Sequence, residues 1–280
     1  MARPYRSVLY IPAANARAME KARGLAADAI IFDLEDAVAP DAKPAARAAL
    51  AEALAQDYGP RARIVRINAL TSAWGEDDAR ACADLPADAV LIPKVDGPAD
   101  LDRVAALIPD TPLWAMMETP LGMLNAAAIA AHPRLQGMVM GTNDLAKELG
   151  SRTRPDRLPM MAALGLCLLA AKAHGIVIVD GVFNAFKDED GLRAECEQGR
   201  DMGFDGKTLI HPAQLDIANA AFAPTEDEIA LARRQIEAFE AAGAQGQGVA
   251  VVDGRIVENL HVDTARQTLD RARAIAELAQ

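Results

Sequence analysis

The sequence is poor in the residues that build disulfide frameworks, reactive thiol sites and zinc centres. Its 280 residues include four histidines and three cysteines, and Cys82, Cys167 and Cys196 lie far apart with no CxxC pair. An odd number of isolated cysteines without a secretion signal is typical of reduced thiols that pack in a protein interior. We therefore expect neither a disulfide scaffold nor a catalytic cysteine.

Long apolar runs and basic patches are also missing. No apolar run approaches the roughly 18 residues that a transmembrane helix needs, and the net charge of -11 argues against a surface for nucleic acids or anionic membranes. Residues 1–6 precede the first predicted strand, which is too short for a signal or transit peptide. The sequence predicts a cytoplasmic protein that acts on a small molecule and binds neither nucleic acid nor membrane.

Three common catalytic loops are absent as well. No GxGxxG or Walker-type loop follows a predicted strand, and there is no GxSxG elbow. Phosphate cradling of those two kinds and a serine-hydrolase mechanism are therefore not supported.

Eight apolar segments of strand length alternate with helix-like segments. They are SVLYIP from Ser7, AIIFDLED from Ala29, RIVRIN from Arg63, AVLIPK from Ala89, PLWAMME from Pro112, LQGMVMG from Leu135, IVIVDGV from Ile176 and DGKTLI from Asp205. Strands that are apolar on both faces and alternate with helices indicate a closed parallel (β/α)₈ TIM barrel, of the α/β class, over residues 1–222. An open doubly wound sheet is the alternative, but it should leave an edge strand with polar alternation, which the sequence does not show.

Residues 223–280 are predicted to form a C-terminal extension rather than an independent domain. Thr225 and Glu228 form a capping-box pattern ahead of a long helix. A glycine-rich stretch, a short β-prone turn and an amphipathic helix follow. Such a segment is too small to bury a core of its own, so we expect it to extend the barrel rather than to fold alone.

Two acidic residues follow consecutive predicted strands. Glu118 comes directly after PLWAMM, and Asp144 follows LQGMVMG within GTNDLA. The carboxyl ends of barrel strands carry the chemistry, and two neighbouring carboxylates repel each other unless a cation separates them. Oxygen ligands without a histidine or cysteine pair suit Mg²⁺ better than Zn²⁺. We therefore predict that Glu118 and Asp144 bind a magnesium ion and, through it, the substrate.

A third predicted site residue is Arg66, at the end of the third strand. A planar guanidinium matches the two oxygens of a carboxylate, so Arg66 is a candidate anchor for an anionic substrate. On the second strand, Asp33 and Glu35 should face the barrel interior because side chains alternate along a strand. The alternative is a purely structural set of ion pairs that joins Arg66 to these acids or to Asp36, with Lys94 as a further cation.

Several motifs together resemble the citrate lyase β-subunit-like CoA-ester lyases, which include malyl-CoA and citramalyl-CoA lyases of the 2-oxo-acid aldolase barrel superfamily. The resemblance runs from residue 6 to the end of the chain, and its most specific segments are DLEDAV, METPLG, GTNDLA and GFDGKTLIHP. It implies a Mg²⁺-dependent (β/α)₈ barrel that assembles into homotrimers or homohexamers and takes coenzyme A as part of its substrate.

The resemblance also implies roles for individual residues. Glu118 and Asp144 correspond to the metal ligands, Arg66 to the residue that holds the 2-oxo-acid carboxylate, and Glu35 and Asp36 to partners of metal-bound water. In the family an acidic group on a lid from the neighbouring subunit acts at the reacting carbon, within a pattern similar to DGxMIDxPxV. This chain reads DGRIVENLHV, so Glu258 stands in the position of the usual aspartate.

The expected activity is therefore reversible retro-Claisen cleavage of a 3-hydroxyacyl-CoA to an acyl-CoA and a 2-oxo acid, with Arg66 and Glu258 as catalytic residues. Four alternatives remain. The first is a malyl-CoA-type thioesterase that uses the same barrel and metal. The others are a citrate lyase β subunit acting on an acyl-carrier thioester, a metal-dependent aldolase without CoA, and a non-catalytic binding protein.

Overall fold

A computed structural model describes residues 3–278 of the chain, which fall into two compact units. The first unit is residues 5–222, and the second consists of residues 223–278 with Arg3 and Pro4. Among the described residues, no helix combines the length and apolar character that a bilayer crossing requires.

Eight parallel strands close the first unit into a barrel, which confirms the predicted fold class. The ring runs from β1 to β8 in chain order and β8 pairs back with β1. All eight predicted segments contain a strand; the strands are β1 Ser7–Pro12, β2 Ala29–Asp33, β3 Ala62–Arg66, β4 Ala89–Ile92, β5 Leu113–Met117, β6 Leu135–Met140, β7 Val177–Asp180 and β8 Gly206–Leu209.

Helices follow the strands and form the outer layer of the barrel. They are α1 Ala16–Ala22, α2 Lys43–Leu54, α3 Gly75–Ala83, α4 Pro98–Ala105, α5 Pro120–Leu124, α6 Ala126–Ala130, α7 Thr142–Leu149, α8 Met161–His174, α9 Glu189–Met202 and α10 Leu215–Ala221.

The apolar residues of each strand divide between two layers. The residues at positions 8, 31, 64, 91, 116, 139 and 179 form a cluster inside the barrel, whereas Leu9, Ile30 and Val65 pack in the larger cluster beneath the helices. The alternation of side chains along a strand produces this division. It also fixes which polar residues at the strand ends can reach the barrel interior.

The second unit contains two long helices and a β-hairpin. Its elements are α11 Glu226–Ala244, β9 Ala250–Val252, β10 Arg255–Val257 and α12 Asn259–Leu278. The predicted capping box is present, since the Thr225 side chain accepts from the Glu228 N–H and the Glu228 carboxylate accepts from the Thr225 N–H. A small apolar cluster that includes Phe239, Val257 and Val262 holds the hairpin against the helices of this unit.

Candidate active site

A pocket of about 350 Å³ opens at the carboxyl ends of the barrel strands. Residues from seven of the eight strand ends and their following loops surround it. The lining residues are Tyr10, Pro12, Asp33, Asp36, Ala37, Arg66, Met116, Glu118, Met140, Gly141, Thr142, Asn143, Asp144, Val182 and Ile210.

Asp33 and Arg66 form a bidentate ion pair on one wall of this pocket. The two residues lie directly opposite each other in the β2–β3 register, and both continue the inward-facing series of their strands. Arg66 Nε and Nη2 donate to the two Asp33 oxygens over 2.8 and 2.6 Å. Asp33 also accepts from the N–H groups of Glu35 and Ala37, so the pair fixes the turn that follows β2.

Arg66 Nη1 therefore remains as the part of the guanidinium that Asp33 does not bind. It lies 3.0 Å from Glu35 Oε2 and 3.4 Å from Asp36 Oδ2. Nη1 donates a hydrogen bond to Asp36, whereas Glu35 Oε2 is buried without a hydrogen-bond partner among the described residues. The ion pairs considered from the sequence are thus present between Arg66 and all three acids, and Arg66 also lines the pocket.

Burial raises the pKa of Glu35 to about 8. The Arg66 guanidinium opposes this shift, and the neighbouring carboxylates of Asp36, Glu118 and Asp33 reinforce it. The high pKa of Glu35 therefore reflects mainly the loss of water around its carboxyl, to which the neighbouring negative charges add.

Glu118 is the inward-facing residue that follows Trp114 and Met116 on β5. Its Oε1 accepts from the backbone N–H of Lys94 over 2.8 Å, and Lys94 adopts the left-handed conformation with φ 51°. A residue other than glycine rarely takes this conformation, and such strain is concentrated at functional sites. The turn after β4 therefore presents an amide that orients the Glu118 carboxylate.

Gly141 provides the space that Glu118 occupies. A Cβ on Gly141 would lie 2.3 Å from Glu118 Cβ and 2.6 Å from Glu118 Oε2, which no real side chain could tolerate. Gly141 directly precedes α7, and Asp144 lies in the first turn of that helix. The contact between Glu118 and Gly141 therefore brings the two predicted metal ligands to the same side of the pocket.

The charges of Glu118 and Asp144 interact. Burial raises the pKa of Glu118 to about 7; the Lys94 N–H and Arg66 oppose that rise, whereas Asp144 adds to it. Asp144 is half-buried, and within residues 3–278 its carboxylate makes neither a hydrogen bond nor an ion pair. One carboxylate is thus oriented by an amide, and its neighbour has unused oxygens.

These groups fit a magnesium ion. Four of the residues that line the pocket are acidic and one is basic, and a divalent cation would relieve the resulting repulsion. The described residues contain no cluster of three or more His, Cys, Asp or Glu side chains that could enclose a metal. Mg²⁺ does not need such a cage, because it usually keeps several waters and binds one or two carboxylates together with its substrate.

Comparison with known proteins identifies the family. The profile of the HpcH/HpaI aldolase/citrate lyase family matches residues 6–212. This chain belongs to that family. Because members of this family are lyases and related CoA-ester enzymes, the protein is an enzyme, as the sequence predicted.

Two relatives and one solved structure show how this family member compares with others. It is 73% identical to a (3S)-malyl-CoA thioesterase from Cereibacter sphaeroides over 98% of this chain and 97% of the relative. It is 37% identical to the citrate lyase subunit beta of Escherichia coli over 96% of this chain and 94% of that one. One solved structure is the crystal structure of CitE from Mycobacterium tuberculosis in complex with magnesium, acetoacetate and coenzyme A. Its sequence is 32% identical to this chain, and the two folds superpose with a TM-score of 0.81 over 97% of this chain and 98% of the CitE chain.

The site carboxyls should make the stability of the metal-free enzyme depend on pH. Folding raises the pKa values of Glu35 and Glu118 from 4.5 to about 8 and about 7, so the folded state binds these protons more tightly than the unfolded state. Stability therefore decreases as pH rises from about 4.5 through 8. In EDTA, calorimetry should show a lower Tm at pH 8.5 than at pH 6, and Glu35→Gln should reduce that difference. A Glu35→Gln variant with an unchanged slope would contradict this prediction.

Two charged residues of β7 and β8 do not reach the pocket. Asp180 and Lys207 face the outer layer, and together with Arg157 and Glu195 they form a buried network of ion pairs. Lys207 Nζ also donates to the Gly181 carbonyl. The alternation of side chains explains this, because the neighbouring residues in each strand point into the barrel. The network holds the segment before α8 to the sheet.

The structure thus places the predicted residues Asp36, Arg66, Glu118 and Asp144 around one pocket, with Glu35 against Arg66. Glu258 belongs to the C-terminal unit, where its N–H donates to His261 Nδ1 at the start of α12.

Sequence reasoning did not identify Tyr10, Met116 and Gly141 as parts of the site. For Tyr10 a signal was present, because it is two residues after the inward-facing Val8. The role of Gly141 depends on the path of a neighbouring strand, which spacing along the chain does not show.

Proposed function

We propose that this enzyme is a Mg²⁺-dependent thioesterase that hydrolyses (3S)-malyl-CoA to malate and free CoA. The observation that carries this proposal is the 73% identity, over nearly the full length of both chains, to a protein of that name. The pocket supports it, because carboxylates that suit a cation lie beside a guanidinium that suits an organic anion. This was an alternative from the sequence, where cleavage of a carbon–carbon bond was the first expectation.

Glu118 and Asp144 would hold the magnesium ion in this proposal. Bound there, Mg²⁺ would supply Lewis acidity to the oxygens of the substrate. The Lys94 amide keeps Glu118 Oε1 in place. Arg66 Nη1 would bind the substrate carboxylate, since Nε and Nη2 are already occupied by Asp33.

Hydrolysis also requires a group that removes a proton from water. Water adds to the thioester carbon, the carbon–sulfur bond breaks, and the thiolate of CoA takes up the proton. Glu35 and Asp36 would hold water beside the cation, and the buried Glu35 Oε2 has no hydrogen-bond donor among the described residues, which supports this role. Glu258 remains our candidate for the acid–base residue, on the basis of the family resemblance.

We further propose that Glu258 reaches the site of a neighbouring subunit in a homotrimer or homohexamer. A complementation experiment tests this arrangement. Glu118→Gln and Glu258→Gln subunits, each inactive alone, should regain part of the activity when they are unfolded and refolded together, because some mixed sites would then contain both carboxylates. An active Glu258→Gln enzyme, or mixtures that stay inactive although mixed oligomers form, would reject it.

Carbon–carbon cleavage is the second candidate function. The solved CitE structure holds acetoacetate and coenzyme A with magnesium, and the citrate lyase subunit beta of Escherichia coli shares 37% identity with this chain. In a retro-Claisen cleavage the substrate hydroxyl loses its proton and a 2-oxo acid forms. The acyl-CoA enolate that leaves must then gain a proton.

Analysis of the products separates the two functions. Purified enzyme with Mg²⁺ and (3S)-malyl-CoA should give malate and free CoA in equal amounts, measured by mass spectrometry and a thiol assay. Glyoxylate and acetyl-CoA without malate would show a lyase and overturn the proposal. Activity that depends on an acyl-carrier protein, with no turnover of the free CoA ester, would instead indicate a citrate lyase subunit.

A further inference from the structure

Tyr10 forms the floor of the pocket. It follows Val8 in the inward-facing series of β1, and its hydroxyl lies 3.5 Å from the Sδ atom of Met116 on β5. In a ring of eight strands β5 is opposite β1, so the tyrosine side chain extends across the barrel interior. Any group that enters the pocket to its full depth meets this hydroxyl.

Within residues 3–278, the Tyr10 hydroxyl has no strong hydrogen-bond acceptor. Its partner is the thioether of Met116, and a thioether sulfur accepts only weakly. Tyr10 is half-buried, and a tyrosine hydroxyl that is withdrawn from bulk water usually has a good partner. Burial also raises the pKa of this phenol above its ordinary value, and the carboxylates of Asp33, Glu118 and Glu35 add to the rise. The phenol therefore keeps its proton at neutral pH although none of these carboxylates accepts it.

Arg66 lies over the same tyrosine. The guanidinium carbon is 5.0 Å from the centre of the Tyr10 ring, a cation–π contact that holds the ring in position. Arg66 and Tyr10 both line the pocket, and Arg66 Nη1, which Asp33 does not bind, contacts only Glu35 and Asp36 among the described residues. A positive charge and a neutral donor, both without a full set of acceptors, together suit an anion with two oxygens.

The shape of the proposed substrate determines which of its anionic groups would reach Arg66 and Tyr10, so this inference rests on the proposed function. A pocket of about 350 Å³ has room for the acyl group, while the much larger CoA moiety extends out of its mouth. The end of the acyl group distal to the thioester must then enter deepest, and in a malyl group that end is a carboxylate. We propose that the Tyr10 hydroxyl donates a hydrogen bond to the distal carboxylate of the substrate and so selects dicarboxylic acyl groups.

Tyr10→Phe tests this assignment because it removes the hydroxyl and keeps the ring. It should lower kcat/KM for (3S)-malyl-CoA about 10- to 100-fold, the usual effect of losing a hydrogen bond to a charged group. With 3-hydroxybutyryl-CoA, in which a methyl group replaces the distal carboxylate, the same substitution should change kcat/KM less than about threefold. Tyr58→Phe is the matched control, since Tyr58 is buried outside the barrel and donates to the Met19 carbonyl.

The outcomes are distinct. An equal loss with both substrates would place the hydroxyl at the thioester or the 3-hydroxyl and overturn the assignment, and so would unchanged kinetics with malyl-CoA. A wild-type enzyme that does not hydrolyse malyl-CoA would reject the proposed function but leave Tyr10 testable. In that case calorimetry with L-malate and Mg²⁺ decides, with about tenfold weaker binding expected in Tyr10→Phe and unchanged binding contradicting the assignment.

Discussion

Replacement of Glu118 by glutamine is expected to lower kcat/KM on the order of 10³-fold or more, and Asp144→Asn should have a similar effect. In the proposed site, each change neutralises one of the two carboxylates that would hold the ion. The shapes of both side chains are preserved, so packing against Gly141 should remain intact. Steady-state kinetics at saturating Mg²⁺ measures the effect.

A binding measurement separates loss of the metal from loss of the fold. Mg²⁺ that binds the folded enzyme should raise its Tm in proportion to occupancy, and this rise should disappear in both variants while their Tm in EDTA is not reduced. Glu148→Gln is the matched control, because Glu148 is exposed on the same helix as Asp144. A Glu118→Gln enzyme that keeps both its activity and its Mg²⁺-dependent Tm would refute the metal assignment.

The barrel could be predicted from the sequence because strands buried on both faces have an unmistakable composition. Runs such as AIIFD and LWAMM are apolar throughout and end at polar residues. The same alternation predicted that Asp33 and Glu35 face inward while Leu34 faces the helices, and Leu34 does pack in the outer core. Within a strand, the position of a residue in the sequence therefore determines whether its side chain points into the barrel or toward the helices.

The site could be predicted only in part, because its finer geometry depends on contacts between distant segments. Arg66 was expected as an anchor for the substrate or as an ion-pair partner, and the structure shows that Asp33 binds two of its nitrogens while the third contacts Glu35 and Asp36. The left-handed turn at Lys94 and the space beside Gly141 have no signature in the sequence. Both are consequences of how neighbouring strands meet.

The proposed double role of Arg66, in folding and in substrate binding, leads to the other large expected effect. Arg66→Gln leaves Asp33, which is 1% exposed, without its cation. Loss of one partner of a buried pair typically costs about 3–5 kcal/mol, so denaturant unfolding should show a decrease of that order in the free energy of unfolding. Activity should be lost as well, because none of the other described residues that line the pocket is basic and could bind the substrate carboxylate.

The double variant Arg66→Gln/Asp33→Asn separates the two roles. Neutralising Asp33 removes the unpaired buried charge, so most of the lost stability should return, whereas turnover of malyl-CoA should stay at the level of Arg66→Gln. Arg63→Gln is the control, because Arg63 lies on the same strand, makes a partly exposed pair with Asp88, and should change stability by less than about 1 kcal/mol. If activity returned together with stability in the double variant, Arg66 would act only by neutralising Asp33 and would have no part in binding the substrate.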